Sequence, residues 1–231
     1  MDLQLNGVHV LVTASPRPAA EFGPSRVQSA QANLSKEEDV LRMFDALKGF
    51  PFGPVQVLIA NHGSHPAEDV PVVEMSLAQW ESTFASNTTA TFLVVREYLK
   101  QLAGATAEQK EKASIVMIGS TAGKYGEIGH ADYSATKSGR MYGFTMSLKN
   151  EIVKTAPRGR VNCIAPGWVK TPRAEHALNT PLKKVATPED IASQVFVAST
   201  AVSGHVSGQV IIVEGGMEGR LLNKREDITA H

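Results

Sequence analysis

Tyr133-Ser-Ala-Thr-Lys137 sets a phenol and an ammonium four residues apart. On a helix, residues i and i+4 lie on one face, a turn apart. A nearby positive charge favours phenolate, so Lys137 should lower the Tyr133 pKa from about 10. A tyrosine tuned in this way can give or take a proton near neutral pH. Thirteen residues before Tyr133, Gly119-Ser120 ends an apolar run, and Ser120 could hold a substrate carbonyl against the phenol. Tyr-x-x-x-Lys by itself is common by chance, so its meaning depends on the surrounding segments.

Those segments alternate between short β-rich runs and longer helical stretches. Strands are expected over Val8–Thr13, within Arg26–Leu34, and over Val55–Ala60, Ala113–Gly119, Arg160–Ala165 and Gln209–Val213. Helices are expected from Ser35, which can cap the acidic turn Glu37-Glu38, and from Ser76 to about Leu102. A third runs from His130 to about Lys154, and a fourth starts at Thr187-Pro188-Glu189-Asp190, with proline in the first helical position. The strands are near-continuous apolar runs, the mark of a parallel sheet covered on both faces. The expected fold is therefore a doubly wound α/β sheet with right-handed crossovers. Ligands bind beyond the carboxyl ends of such strands, here after Thr13, Ala60, Gly119 and Ala165.

Composition narrows the function classes. A chain of 231 residues and 24.8 kDa suits one domain over 1–231, with a polar, partly mobile tail over 217–231. Hydrophobic residues at 42% supply a core, which excludes global disorder. Lys+Arg and Asp+Glu balance at 23 each, against the basic face of a nucleic-acid binder. No apolar run approaches the roughly 18 residues of a membrane span. The first residues lack the basic region of a signal peptide. The single Cys163 excludes an intrachain disulfide framework. A cytoplasmic protein with no membrane or nucleic-acid partner is expected. His62-Gly-Ser-His65 has the spacing of a metal pair, but no Asp or Cys cluster accompanies it, and no metal is expected.

With the other loops included, the chain resembles the short-chain dehydrogenase/reductase family over nearly its whole length. Ser120, Tyr133 and Lys137 have that family's serine–tyrosine–lysine spacing, and Asn87 matches its fourth catalytic position. Ala60-Asn61-His62-Gly63 is similar to its Asn-Asn-Ala-Gly segment, with two substitutions. Pro166-Gly167-Trp168-Val169-Lys-Thr171 resembles its nicotinamide-side loop, and Ser207 to Gly216 its final strand. The resemblance implies a Rossmann-like fold and interconversion of a ketone and a secondary alcohol with NADP or NAD. In it Tyr133 is the acid and base, Lys137 tunes it and binds the nicotinamide ribose, and Ser120 orients the carbonyl. Asn87 holds a relay water. Thr13, Asn61, Gly63, Pro166, Gly167, Val169 and Thr171 would line the cofactor. Asn33, in place of an adenine-contacting Asp, and Leu34 would lie on the adenine side.

Two departures stand out. The family's first strand ends in a glycine-rich turn, whereas Thr13 is followed here by Ala14-Ser15-Pro16-Arg17-Pro18, with no glycine between Gly7 and Gly23. That turn exposes backbone N–H groups to a pyrophosphate. Only twelve residues separate Thr13 from Arg26, too few for the family's intervening elements, so the N-terminal βαβ unit is expected to be incomplete. The alternative is accordingly a silent or deletion variant with impaired cofactor binding, acting through subunit association. A nucleotide-sugar epimerase shares Tyr-x-x-x-Lys but needs a larger substrate domain. Ala135, Gly139, Gly143 and Ser147 form a small-residue stripe that suits close helix approach, and a homodimer or homotetramer is expected.

Overall fold

The computed structural model describes residues 6–13, 27–170, 181–182 and 184–217. Five parallel strands form one sheet: β1 (Val10–Val12), β2 (Val57–Ala60), β3 (Ser114–Ile118), β4 (Arg160–Pro166) and β5 (Val210–Val213). Their spatial order follows the chain, β1-β2-β3-β4-β5. The register aligns Val12 with Ile59, Ile59 with Val116, and Met117 with Cys163.

Side chains alternate across each strand, so every strand feeds two cores. Leu58, Ala60, Ile115, Met117, Val161, Cys163 and Ala165 face one side. There they meet α1 (Glu37–Leu47), α3 (Ala90–Ala103) and α7 (Thr145–Thr155), through residues such as Phe44, Tyr98 and Ile152. Val57, Ile59, Val116 and Ile164 face the other side, against Val197 and Ala198 of the 3-10 segment Ser193–Ala198. Burial on both faces explains why the strands read as apolar runs. The remaining helices are α2 (Leu77–Phe84), α4 (Ala107–Lys110), α5 (Ala122–Tyr125), α6 (Ala131–Ser138), α8 (Pro188–Ala192) and α9 (Thr200–Ser203).

The two long helices each contain a wide turn. Ser76 caps the first by accepting from the Gln79 amide at 3.1 Å, as expected. That helix then passes from α2 through a π-helical turn, Ala85–Thr89, into α3. The second passes from α6 through Gly139–Phe144, also π-helical, into α7. Such wide turns loosen the i→i−4 ladder and recur at functional sites. Thr187 and Asp190 form the expected capping box on α8.

Two local expectations fail. Residues 27–33 form no strand, and Arg26 lies outside the described residues. The Ser, Gln and Asn residues there have low strand propensity, although Ala32 and Leu34 pack on the core. Nor does Ser35 cap α1: Lys36 holds the cap position, and the Ser35 hydroxyl donates to Asn33 Oδ1 at 2.6 Å. Among the described residues β1 has one sheet neighbour, and Val10 and Val12 on it are exposed. A cavity of about 1250 Å³ lies along β1, walled also by 27–32, Leu34, Met43, Leu47 and Phe50. Residues 14–18 and 218–231, which hold the altered turn and nearly all of the polar tail, lie outside the described residues.

Candidate active site

The site lies at the carboxyl ends of β2, β3 and β4. Gly119 and Ser120 follow β3, where the Ser120 hydroxyl accepts the Ala122 amide at 3.2 Å. Gly119 allows close packing there: a Cβ on it would lie 2.7 Å from Met141 Cγ. Tyr133 and Lys137 sit one turn apart on α6, with Lys137 Nζ 5.4 Å from the Tyr133 ring centre. Asp132, which the sequence reading missed, anchors this helix start. Its Oδ1 accepts the Tyr133 amide at 2.8 Å, and its Oδ2 accepts Thr83 Oγ1 at 2.7 Å from α2.

The electrostatics differ from the expected picture. Burial raises the Tyr133 pKa, and the Ser120 side chain opposes the rise by hydrogen bonding. Among the neighbouring charges, Glu127 raises it further and Arg140 lowers it. Lys137 is itself buried, which holds its pKa well below the usual lysine range, and Arg140 pushes it lower.

Arg140 is the residue that no motif pointed to. It is 2% exposed, and its guanidinium donates to Asn87 O at 2.7 Å, Ile118 O at 2.8 Å and His62 O at 3.2 Å, with a further bond to Thr91 Oγ1. None of these partners is a carboxylate. Burial lowers its pKa to about 10. The wide turn at Asn87 supplies one of its acceptors, so the two π-helical segments meet through this side chain. A sequence signal existed, since a lone Arg between apolar positions of a core-facing helix needs a partner.

His62 belongs to the same network. Its Nδ1 lies 2.7 Å from Thr13 Oγ1 and its Nε2 lies 3.2 Å from Thr91 Oγ1. Thr13 Oγ1 also accepts the amides of Asn61 at 3.0 Å and His62 at 3.2 Å. Burial, with Arg140 and Lys137 nearby, lowers the His62 pKa to about 3, so the ring is neutral. His65 turns elsewhere, with its Nε2 3.3 Å from Glu127 Oε1.

Asn87 is 1% exposed. Its Oδ1 accepts the Ser64 amide at 2.7 Å, and its Nδ2 donates to Ser64 O at 2.9 Å and Thr136 Oγ1 at 3.1 Å. Its main-chain oxygen accepts from both Arg140 and Thr91, which uses both lone pairs.

The other sequence-derived residues fall into two groups. Gly63 packs beside Asn87, where a Cβ would lie 2.9 Å from Asn87 Oδ1 and 3.4 Å from Lys137 Nζ. Pro166 ends β4, and Gly167 lies against Glu214, which a Cβ would meet at 2.7 Å. Val169 bridges to Ala186. Asn61 follows β2. These residues, with Ser120, Tyr133 and Lys137, surround the strand ends, whereas Thr171 lies outside the described residues. On the far side of β1, Asn33 accepts the Ser35 amide in a local turn and Leu34 packs on the core. The donor set of the Tyr133 phenol, the Ser120 hydroxyl and the Lys137 amine, with Gly63 where a Cβ would crowd Lys137, fits the nicotinamide end of NAD(P).

The chain belongs to the short-chain dehydrogenase family, whose model matches residues 4–181. It is 31% identical over 202 residues to 3-oxoacyl-[acyl-carrier-protein] reductase FabG of Aquifex aeolicus, covering 83% of this chain and 77% of that protein. It is also 31% identical to nodulation protein G of a Rhizobium species, covering 86% of this chain and 80% of the relative. Among solved structures, a short-chain dehydrogenase/reductase described as glucose/ribitol dehydrogenase from Brucella melitensis superposes with a TM-score of 0.74. That pair is 33% identical and covers 87% of this chain and 80% of the other. An NADH-dependent reductase, A1-R′, shares the fold with a TM-score of 0.79 at 21% identity, covering 95% of this chain and 100% of that one. Membership of this family makes the chain an NAD(P)-dependent oxidoreductase by class, with the choice of cofactor open.

Proposed function

We propose that this protein interconverts a ketone and a secondary alcohol, with Tyr133 as the acid–base group. The observation that supports this reading is the meeting of Ser120, Tyr133 and Lys137 at the end of β3. In reduction, the Ser120 hydroxyl donates to the carbonyl oxygen and orients it. The Tyr133 O–H gives its proton to that oxygen; in oxidation, the phenolate takes it back. Lys137 donates to the nicotinamide ribose and holds it beside Tyr133. Pro166, Gly167 and Val169 form the wall on the nicotinamide side. NAD(P)H, when bound, supplies the hydride; the protein positions and polarises.

A homodimer or homotetramer in the cytoplasm, built on one domain over 1–231, completes the proposal. Gly139, Gly143 and Ser147 are exposed, which leaves the stripe open to a second copy. Among the described residues no helix is long and apolar enough to cross a membrane. A second reading, a catalytically silent relative with impaired cofactor binding, is favoured by Pro16 and Pro18 where the phosphate turn should be.

The test is reduction of a panel of ketones and 3-oxoacyl thioesters, followed by NAD(P)H absorbance. Tyr133→Phe should lower the turnover rate at least about 100-fold while circular dichroism stays unchanged. A variant that keeps more than about a tenth of the rate would sink the assignment.

A further inference from the structure

Beside Tyr133, the loop after β2 meets the loop before α6. One ring nitrogen of His65, one of His130 and a carboxylate oxygen of Glu127 all lie within 4.8 Å of one another. His65 Nε2 is 3.3 Å from Glu127 Oε1 and 3.4 Å from Oε2, so both oxygens face the imidazole nitrogen. The His65 and His130 rings lie 4.2 Å apart between centres.

His130 provides an independent observation. It is 3% exposed, and its Nε2 lies 2.9 Å from Asp69 Oδ1. A carboxylate there accepts from Nε2–H and leaves the lone pair on Nδ1. Nδ1 is buried and has no hydrogen-bond partner. A carboxylate behind a histidine, fixing its tautomer and orientation, is the usual support of a metal-binding imidazole.

The two loops are also tied together. The Val70 amide donates to Gly129 O at 2.9 Å, and the His130 amide donates to Glu127 O at 3.1 Å. Gly129 has φ +76°, and a Cβ on it would lie 2.8 Å from Asp69 Cβ. Glycine at 129 thus lets the second loop close on Asp69, which sets His130 against its carboxylate.

We propose that His65, Glu127 and His130 form a binding site for a divalent cation of the zinc class. Two imidazoles and one carboxylate suit Zn²⁺, Co²⁺ or Ni²⁺ over Mg²⁺ and Ca²⁺, which take all-oxygen sets. Ligands of a tetrahedral zinc lie about 3.3 Å apart, given metal–ligand bonds of about 2.0 Å. The His65–Glu127 pair already has that spacing at 3.3 Å, and the set as a whole, within 4.8 Å, shortens on binding. Three protein ligands leave a fourth position open to water or to a substrate oxygen. The His65 ring stands edge-on to Tyr133 at 4.6 Å, so a bound cation sits at the approach to the phenol and obstructs it. The obstruction of catalysis rests on the proposed role of Tyr133; the cation site itself does not.

The experiment is calorimetric titration of the full chain with ZnSO₄, paired with the visible absorption spectrum on Co²⁺ addition. One Zn²⁺ per chain with a dissociation constant below about 10 μM is expected from three ligands of this kind. His65→Ala and Glu127→Gln, both at partly exposed positions, should each weaken binding at least about 10-fold, and Asp69→Asn by about 10–100-fold. Tyr133→Phe should bind Zn²⁺ as tightly as the parent, so loss of activity and loss of the cation site are read separately. A parent dissociation constant above about 1 mM, or micromolar binding that survives both His65→Ala and Glu127→Gln, overturns the proposal.

Discussion

Arg140→Met should raise the pKa of Lys137. Lys137 Nζ and Arg140 Nη1 donate to the same carbonyl, Ile118 O, at 3.1 Å and 2.8 Å. Two cationic nitrogens on one acceptor are no more than about 6 Å apart; at an effective dielectric of about 20 their repulsion is about 3 kcal/mol. That corresponds to about two pK units, so removing the guanidinium should raise the Lys137 midpoint by about two units. Burial, the larger cause of the depression, remains. Stability should change less than four lost hydrogen bonds suggest. Ile118 O keeps Lys137, and Asn87 O keeps Thr91 Oγ1 at 2.6 Å. His62 O alone among the three carbonyls loses its partner outright, at a cost of about 1–3 kcal/mol, and relief from burying a cation offsets part of it. The assay is carbon NMR of Cε-labelled lysine across pH, with the Lys137 signal assigned by Lys137→Met. Urea unfolding measures stability in parallel. A Lys137 midpoint within about 0.5 unit of the parent would falsify the coupling.

Three further outcomes follow from the same structure. His62 has its pKa lowered to about 3 from 6.5, so below pH 6.5 the unfolded chain takes a proton that the folded chain refuses. Its contribution is full above pH 6.5 and is lost as pH falls toward 3, by about 2 kcal/mol at pH 5; urea titrations should show this slope, and His62→Asn should flatten it. Gly143→Leu should leave the fold intact, since a Cβ there meets nothing within 4 Å, yet reduce particle size in sedimentation if the stripe joins subunits; a parent that is already monomeric at tens of micromolar refutes that role. Pro16 and Pro18 cannot donate to a phosphate, and two lost charge-assisted bonds weaken NAD(P) binding by roughly 3–6 kcal/mol, on the order of 10²–10⁴ in dissociation constant. Isothermal titration with NADH and NADPH tests this, and a dissociation constant of a few micromolar for either shows that the turn is dispensable.

What the sequence by itself determined is local or periodic. The i, i+4 spacing of Tyr133 and Lys137, the Ser76 cap and the Thr187–Asp190 box depend on neighbours within one helical turn, and all three stand in the structure. The runs at 55–60, 113–119 and 160–165 marked strands buried on both faces, because period-two alternation vanishes when both sides pack. The wide turns were not legible, since Asn87 and Gly139 continue a helical pattern and only packing chooses a π over an α turn. Tertiary structure alone decided where the Arg140 charge sits, through contacts with His62, Asn87 and Ile118, residues 78, 53 and 22 positions away. It likewise separated His62 from His65, turning one inward to Thr13 and Thr91 and the other outward to Glu127 and His130. Burial lowers the pKa values of Lys137 and His62, and burial is a property of the assembled sheet and helices, which no short window of sequence contains.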